Sequence, residues 1–301
     1  MANELMNLSN EMAGAVERTA AGIVAVGGRR GIGSSGMVWK ENLILTASEA
    51  VRAEEGIKIL FPDGRMGEGK LRGRDAGTDL AVLEAKTEGT APLDFASDSG
   101  LKAGQLVLAV GRTGNTGPIA SFGIISGVSG EWKTWRGGKL DPFVRLDISV
   151  YPTLSGGAAV DAAGHLMGMV STGLSRSSVF AVTASTIGRI AGKLSAQGFV
   201  SRGFLGVTLQ PVAIRSIEEK LEQETGIMLL GVEPDGPAAL GGLMQGDVLL
   251  AADEQALAHP EALADFLERT PAGQVVKFRL LRAGAAQELN VKVGERPNRR
   301  R

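Results

Sequence analysis

The residues best suited to do chemistry in this chain are a serine, an aspartate and a glutamate. Ser155 stands in Tyr151-Pro152-Thr153-Leu154-Ser155-Gly156-Gly157, a hydroxyl followed by two glycines, as a nucleophile on a tight turn would be. Asp79 opens the apolar run Thr78-Asp79-Leu80-Ala81-Val82-Leu83 and is expected to be buried. Glu49 lies in Leu45-Thr46-Ala47-Ser48-Glu49-Ala50-Val51. A serine hydroxyl is a weak nucleophile and needs a neighbouring base whose pKa lies near the working pH. Imidazole meets that need, but the chain has only 2 histidines, His165 and His259, and none in its first 164 residues. A carboxylate, with a reference pKa of about 4.3, is a much poorer base at pH 7.

Such residues act only if a framework brings them together, and the chain is long enough to build one. Its 301 residues suggest two domains, each with its own core. The 32 basic and 33 acidic residues nearly cancel, which removes the electrostatic reason to expect nucleic acid or an anionic membrane as partner. Cysteine is absent, so disulfides and thiolate chemistry are excluded. No apolar stretch approaches the roughly 20 residues of a membrane span. No basic segment followed by an apolar core is visible at the N-terminus. A cytoplasmic location is therefore expected if Met1 is the native start, and a periplasmic or extracytoplasmic one if the sequence is trimmed.

Glycine is abundant, 43 of 301 residues, and punctuates many short apolar runs. The pattern predicts strands at Ile23–Val26, Ser35–Trp39, Leu43–Thr46, Ile57–Phe61, Gly69–Arg74 and Leu80–Glu84. A second set is predicted at Leu106–Val110, Ile119–Val128, Phe143–Asp147, Ala158–Val160, Leu166–Ser171 and Val179–Val182. Short strands at this spacing argue for a mainly β fold, and two groups of six for two packed six-stranded β-barrels. Helices are predicted at Leu5–Thr19 and at Ser185–Ala196, the latter started by Ser or Thr and ended near Gly198. Gln197–Gly203 is the best boundary. Beyond it the spacing predicts an α+β unit: a strand at Phe204–Leu209, a charged helix around Ile214–Glu224, a strand at Ile227–Val232 and a turn over 234–237. A short helix to Leu243, a strand at Gly246–Leu250, an amphipathic helix at Pro260–Arg269, and strands at Val275–Arg282 and Gln287–Val293 complete it.

Taken in order, these segments resemble the HtrA (DegP-like) family: a trypsin-like, chymotrypsin-fold protease domain followed by one PDZ domain. The resemblance rests on Ile44-Leu45-Thr46, Thr78 to Leu83, Ser155-Gly156-Gly157, Arg202-Gly203-Phe204-Leu205-Gly206-Val207, Gly236-Pro237-Ala238-Ala239 and Gly246-Asp247-Val248-Leu249. It implies a protease-like domain over 1–198, a PDZ domain over 199–295 and a basic tail over 296–301. It also implies that Ser155 holds the nucleophile's place, Asp79 that of the orienting carboxylate, and Glu49 that of the catalytic histidine. Losing a triad member costs about four to six orders of magnitude in turnover. The oxyanion hole, to which residues 153 and 155 contribute, has Thr153 where the family has glycine, and a β-branched residue resists the required backbone. Leu154 and Ala158 replace a common asparagine and proline.

The residues themselves leave other readings open. Ser155 also suits a small turn residue between strands. Glu49 suits a structural carboxyl bonded to Asp79, with which it would share a proton, or to backbone; it also suits a repurposed base or a metal ligand. Two carboxylates alone underspecify a metal site, so neither metal nor cofactor is expected. His165 reads as an exposed turn residue, and His259 as a helix cap with a minor ligand-contact role open. Trp132 and Trp135, in a polar loop over 131–139, mark either a contact surface or packing beneath the loop.

In the PDZ-like part, the resemblance implies that backbone N–H groups of Gly203, Phe204, Leu205 and Gly206 capture a peptide C-terminus. The peptide would then pair with the strand carrying Val207 and Leu209, against Leu263, Phe266 and Leu267 of the helix. The expected function is a pseudoprotease that binds peptides or protein C-termini as a scaffold or chaperone-like partner in protein quality control. The alternative is a slow or activatable serine endopeptidase using Ser155. The family further implies a homo-oligomer, commonly a trimer.

Overall fold

A computed structural model describes residues 2–28, 31–114, 117–134, 136–200, 203–214 and 223–295. The chain divides into two compact units, Met1–Val200 and Ser201–Arg301.

The first unit opens with helix α1 (Ala2–Ala20) and then strands β1 (Ile23–Gly28), β2 (Gly31–Lys40), β3 (Leu43–Ala47), β4 (Ile57–Leu60), β5 (Met66–Asp75) and β6 (Leu80–Glu84). They close into an antiparallel barrel in the order β1-β2-β3-β6-β5-β4. Next come β7 (Leu106–Thr113), β8 (Gly117–Ser129), β9 (Trp132–Lys133), β10 (Lys139–Leu140), β11 (Phe143–Ile148), β12 (Ala158–Val160), β13 (Leu166–Ser171) and β14 (Val179–Thr183), followed by helix α2 (Ala184–Gln197). The second barrel runs β11-β14-β13-β12-β7-β8. Two six-stranded barrels are thus formed, as expected.

The strands that meet at the seam are apolar on both faces, and alternation explains why. Ile44, Ala81 and Leu83 point into the first barrel, while Leu45, Ala47, Leu80 and Val82 join a core shared by both barrels. Across the seam, Leu108, Val110, Ala158 and Val160 join that shared core, and Val107, Ala109 and Ala159 fill the second barrel. The loops that leave these strands lie at the seam. They carry Glu49, Asp79 and Ser155.

Two helix ends are held by distant side chains. The Ala184 and Ser185 N–H groups of α2 donate to the Asp98 carboxylate at 3.1 and 2.8 Å, so Asp98 caps a helix that was expected to be started by its own Ser or Thr. The helix ends as expected, on Gly198 at φ 83°. Arg112 is buried and donates to the Ala20 and Ile23 carbonyls at 2.9 and 2.7 Å, tying the end of α1 to β7; burial lowers its pKa. The expected polar loop over 131–139 instead carries the β9–β10 hairpin, and Trp132 packs against Phe143 and Phe180 at 5.3 and 5.2 Å. Trp135 lies outside the described residues.

The second unit contains β15 (Gly203–Phe204), β16 (Val207–Ala213), β17 (Thr225–Val232), helix α3 (Pro237–Leu240), β18 (Val248–Ala252), β19 (Gln255–Ala256), helix α4 (Pro260–Arg269), β20 (Val275–Arg282), β21 (Ala285–Lys292) and β22 (Gly294–Glu295). The main sheet runs β16-β17-β18-β20-β21, with β19 beside β18. Leu205, Ile227, Leu249, Leu263, Phe278 and Val291 are among its core residues. The strand expected at Phe204–Leu209 is broken by a turn, where Gly206 adopts φ 75°. The strand expected from Gly246 begins at Val248, because Asp247 turns inward to bond Arg282 at 2.8 Å. Most of the helix expected at 214–224 lies outside the described residues, as does the basic tail.

Candidate functional site

At the seam of the first unit, Glu49, Asp79 and Ser155 come together from three loops. Asp79 heads β6 with φ 56°, a left-handed conformation that aspartate tolerates better than most residues. That twist leaves its carbonyl accepting from Ser48 N at 3.0 Å and its carboxylate pointing into the seam. The carboxylate accepts from Glu49 N at 3.1 Å and from Ser171 Oγ at 2.6 Å. Burial pushes the Asp79 pKa up to about 6; the Ser171 hydroxyl opposes this, and the Glu49 charge adds to it.

The Glu49 carboxylate faces the serine. Ser155 Oγ donates to Glu49 Oε1 at 3.1 Å, and Thr172 Oγ1 donates to the same oxygen at 2.7 Å. A Cβ on Gly173 would meet Glu49 Oε2 at 2.8 Å and Asp79 Oδ2 at 2.9 Å, so both carboxylates crowd that glycine. Glu49 is joined to Asp79 by its backbone N–H, because its longer side chain reaches past Asp79 to the hydroxyls.

Ser155 ends a 3-10 turn over Pro152–Leu154 and is 3% exposed. The first barrel grips this turn: Ser155 O accepts from Ser34 Oγ at 2.6 Å and Ser35 N at 3.0 Å, and Thr153 O from Ser35 Oγ at 2.5 Å. The close approach explains the glycine after the serine. Gly156 has φ 82°, and a Cβ there would strike Ser35 O and Thr46 Oγ1.

The turn also decides where the N–H groups of residues 153 and 155 point. Ser155 N donates to Pro152 O at 3.4 Å. In a trans peptide the C=O and N–H point in opposite directions, so a Pro152 carbonyl turned toward Ser155 N turns the Thr153 N–H away. The N–H groups of residues 153 and 155 therefore do not converge on one point, as an oxyanion hole requires.

Neither histidine is built into this network. His165 Nδ1 lies 2.9 Å from Asp161 Oδ2 in the β12–β13 turn. His259 caps α4, its Nδ1 accepting from Ala262 N at 3.2 Å; so engaged, that nitrogen cannot also donate to Glu261 Oε2. No group of three or more His, Cys, Asp or Glu residues is placed to hold a metal among the described residues.

In the second unit, β15 pairs with β22 and hands the chain through Leu205-Gly206 into β16. The Leu205 and Gly206 N–H groups donate to no carbonyl among the described residues. β16 is an edge strand, and α4 lies beside it. Val207, Leu209, Phe266 and Leu267 are half-buried along this edge. Leu263, expected in the groove wall, is 1% exposed and belongs to the core, as does the Leu205 side chain. Gly203 sits against the end of α4, where a Cβ would meet Leu267 O at 2.7 Å.

Ser34, Ser35, Ser171, Thr172 and Gly173 were not singled out from sequence. The available signal was Ser171-Thr172-Gly173, a small polar run closing a strand otherwise apolar throughout.

Comparison with known proteins agrees with this architecture. A trypsin-like peptidase domain family matches residues 34–169, and a PDZ domain family residues 203–293. A probable periplasmic serine endoprotease, DegP-like, of Halomonas elongata is 31% identical over 90% of this chain and 58% of the relative. The chain spans little more than half the length of such curated relatives. The HtrA-type protease AlgW solved with a decapeptide has a TM-score of 0.75 at 28% identity, covering 95% of this chain and 99% of that one. AlgW solved with a tripeptide is 30% identical with a TM-score of 0.70, covering 95% of this chain and 97% of that one. With that likeness running through both units, the chain belongs to the HtrA-type, DegP-like family of serine proteases, with a trypsin-like domain and a PDZ domain.

Proposed function

We propose that this chain is a peptide-binding member of its family that does not cut efficiently, with Glu49 in the place of the catalytic histidine. One observation carries the reading: Ser155 Oγ donates to a carboxylate where a serine nucleophile needs a base that later protonates the leaving amine. The Pro152 carbonyl on Ser155 N–H supports it, since a developing oxyanion would meet a carbonyl oxygen there.

Binding falls to the second unit. Within the segment Gly203, Phe204, Leu205 and Gly206, the Leu205 and Gly206 N–H groups are offered to a C-terminal carboxylate, and the edge of β16 offers a strand to pair with. Val207, Leu209, Phe266 and Leu267 form the apolar wall. The protease-like part spans 1–198 and the PDZ part 199–295. The working role is a scaffold or chaperone-like partner in protein quality control, as a homo-oligomer, with a trimer the first form to test. Relatives named periplasmic favour an extracytoplasmic location; the cytoplasmic expectation finds no support among them. No described helix is long and apolar enough to cross a membrane.

The test is degradation of an unfolded model protein by wild type and by Ser155→Ala, at high protein concentration and long incubation. Equal, negligible cleavage is expected. Cleavage lost with Ser155→Ala would establish the second reading, a slow or activatable serine endopeptidase. That reading draws on relatives named serine endoproteases.

A further inference from the structure

We infer that Glu49 is a positioning residue that clasps the two barrels together over Ser155 and holds the serine turn in its closed form. The carboxylate comes from the 3-10 turn Ser48–Ala50 of the first barrel, and both hydroxyls that donate to it belong to the second. Ser155 lies on the turn before β12, and Thr172 follows β13. The same residue is anchored from behind by its own N–H, which donates to the buried Asp79 carboxylate. Glu49 is solvent-exposed while Ser155 beneath it is nearly inaccessible, so the carboxylate forms the outer member of the contact.

Two features make this a clasp and not two separate contacts. Both hydroxyls share Oε1, so weakening that oxygen loosens the Ser155 turn and the 171–173 segment at once. Gly173 leaves the space in which the Glu49 and Asp79 oxygens sit, and a methyl group there would have to displace the longer, freer Glu49. Ser34 and Ser35 hold the backbone of the same turn, so the first barrel grips it at carbonyls as well as at the Ser155 hydroxyl. The site is then locked, over and above lacking a base. The inference holds whether or not the second unit binds peptide.

Hydrogen exchange on the full-length chain tests it. Glu49→Ala should speed exchange in both the 150–157 and 171–174 segments together, by roughly five- to tenfold for a partly exposed hydrogen bond to a charged group. Exchange in the second unit should not change. Glu49→Gln keeps an acceptor oxygen without the charge and should fall between wild type and Glu49→Ala. Gly173→Ala should reproduce the Glu49→Ala pattern with the glutamate still present. Unchanged exchange in both segments of folded Glu49→Ala and Gly173→Ala would overturn the inference. So would a response confined to one segment in Glu49→Ala. Peptide affinity measured on the same variants, expected to match wild type, keeps failure here distinct from failure of the proposed binding function.

Discussion

Asp79→Asn should flatten the pH dependence of the first unit's stability. The Asp79 pKa rises from its ordinary 3.8 to about 6 in the folded chain, chiefly because it is buried. A raised carboxyl pKa means that between these values the native state holds a proton the unfolded state has released. Stability therefore falls as pH rises through that window, and the cost is fully present above pH 6. Each pKa unit is worth about 1.4 kcal/mol, so ionised Asp79 costs the fold about 3 kcal/mol at pH 7 relative to pH 3 to 4. Asparagine removes this linkage while keeping one oxygen to accept the Glu49 N–H. It loses the second acceptor that Ser171 uses, so its stability is not expected to match wild type at any single pH. The measurable quantity is the difference between the two stability curves. All three tryptophans lie in the first unit, so urea unfolding followed by tryptophan fluorescence from pH 4 to 8 reports it directly. Wild-type stability minus that of the variant should drop by about 2 to 3 kcal/mol across this range, most of it between pH 4 and 6.5. Parallel curves would refute the reasoning, because Asp79 would then titrate alike in both states.

Glu49→His alone should restore little proteolysis, because the Pro152 carbonyl still occupies the oxyanion donor at Ser155. Adding Thr153→Gly should raise turnover by a further ~100-fold or more, the usual worth of one oxyanion donor, in a casein-degradation assay with Ser155→Ala as background. In the second unit the two helix residues should separate. Leu263→Ala empties a core position and should lower stability by about 2 to 5 kcal/mol in thermal unfolding. Phe266→Ala, half-buried beside β16, should instead weaken binding of a C-terminal peptide at least fivefold by fluorescence anisotropy, with a smaller loss of stability.

The barrels were legible because their strands announce themselves locally. Leu43–Ala47 and Leu80–Glu84 are short, apolar and bounded by turn residues, and strand periodicity needs nothing from elsewhere in the chain. What sequence could not show was that these strands are buried on both faces by different cores, since that depends on the second barrel. The β9–β10 hairpin was missed because its strands are two residues each and its sequence is polar. Its anchor, Trp132, is fixed only by the distant Phe143 and Phe180. Thr183 does stand at the N-cap of α2, but the side chain that accepts the helix's N–H groups was missed for a similar reason: Asp98 is more than eighty residues away, and no local pattern reveals it.

The site divides along the same line. That Glu49, Asp79 and Ser155 would meet was readable from their motifs, but the direction in which Glu49 bonds was not. From the residues alone, a bond to Asp79 through a shared proton and a bond to backbone were both open. The structure resolves the choice through backbone geometry: the left-handed Asp79 presents its carboxylate to the Glu49 N–H, leaving the longer glutamate chain to reach the hydroxyls of Ser155 and Thr172. On the proposed reading a carboxylate fills an imidazole's place, since a hydroxyl will donate to either. What a carboxylate of ordinary basicity does poorly is the second half of the imidazole's work, protonating the leaving amine. On that reading the three side chains still meet, but the proton traffic of a triad is lost. A triad recognised by position alone is therefore weak evidence of turnover until the base, and the N–H groups that would face the oxyanion, have been inspected.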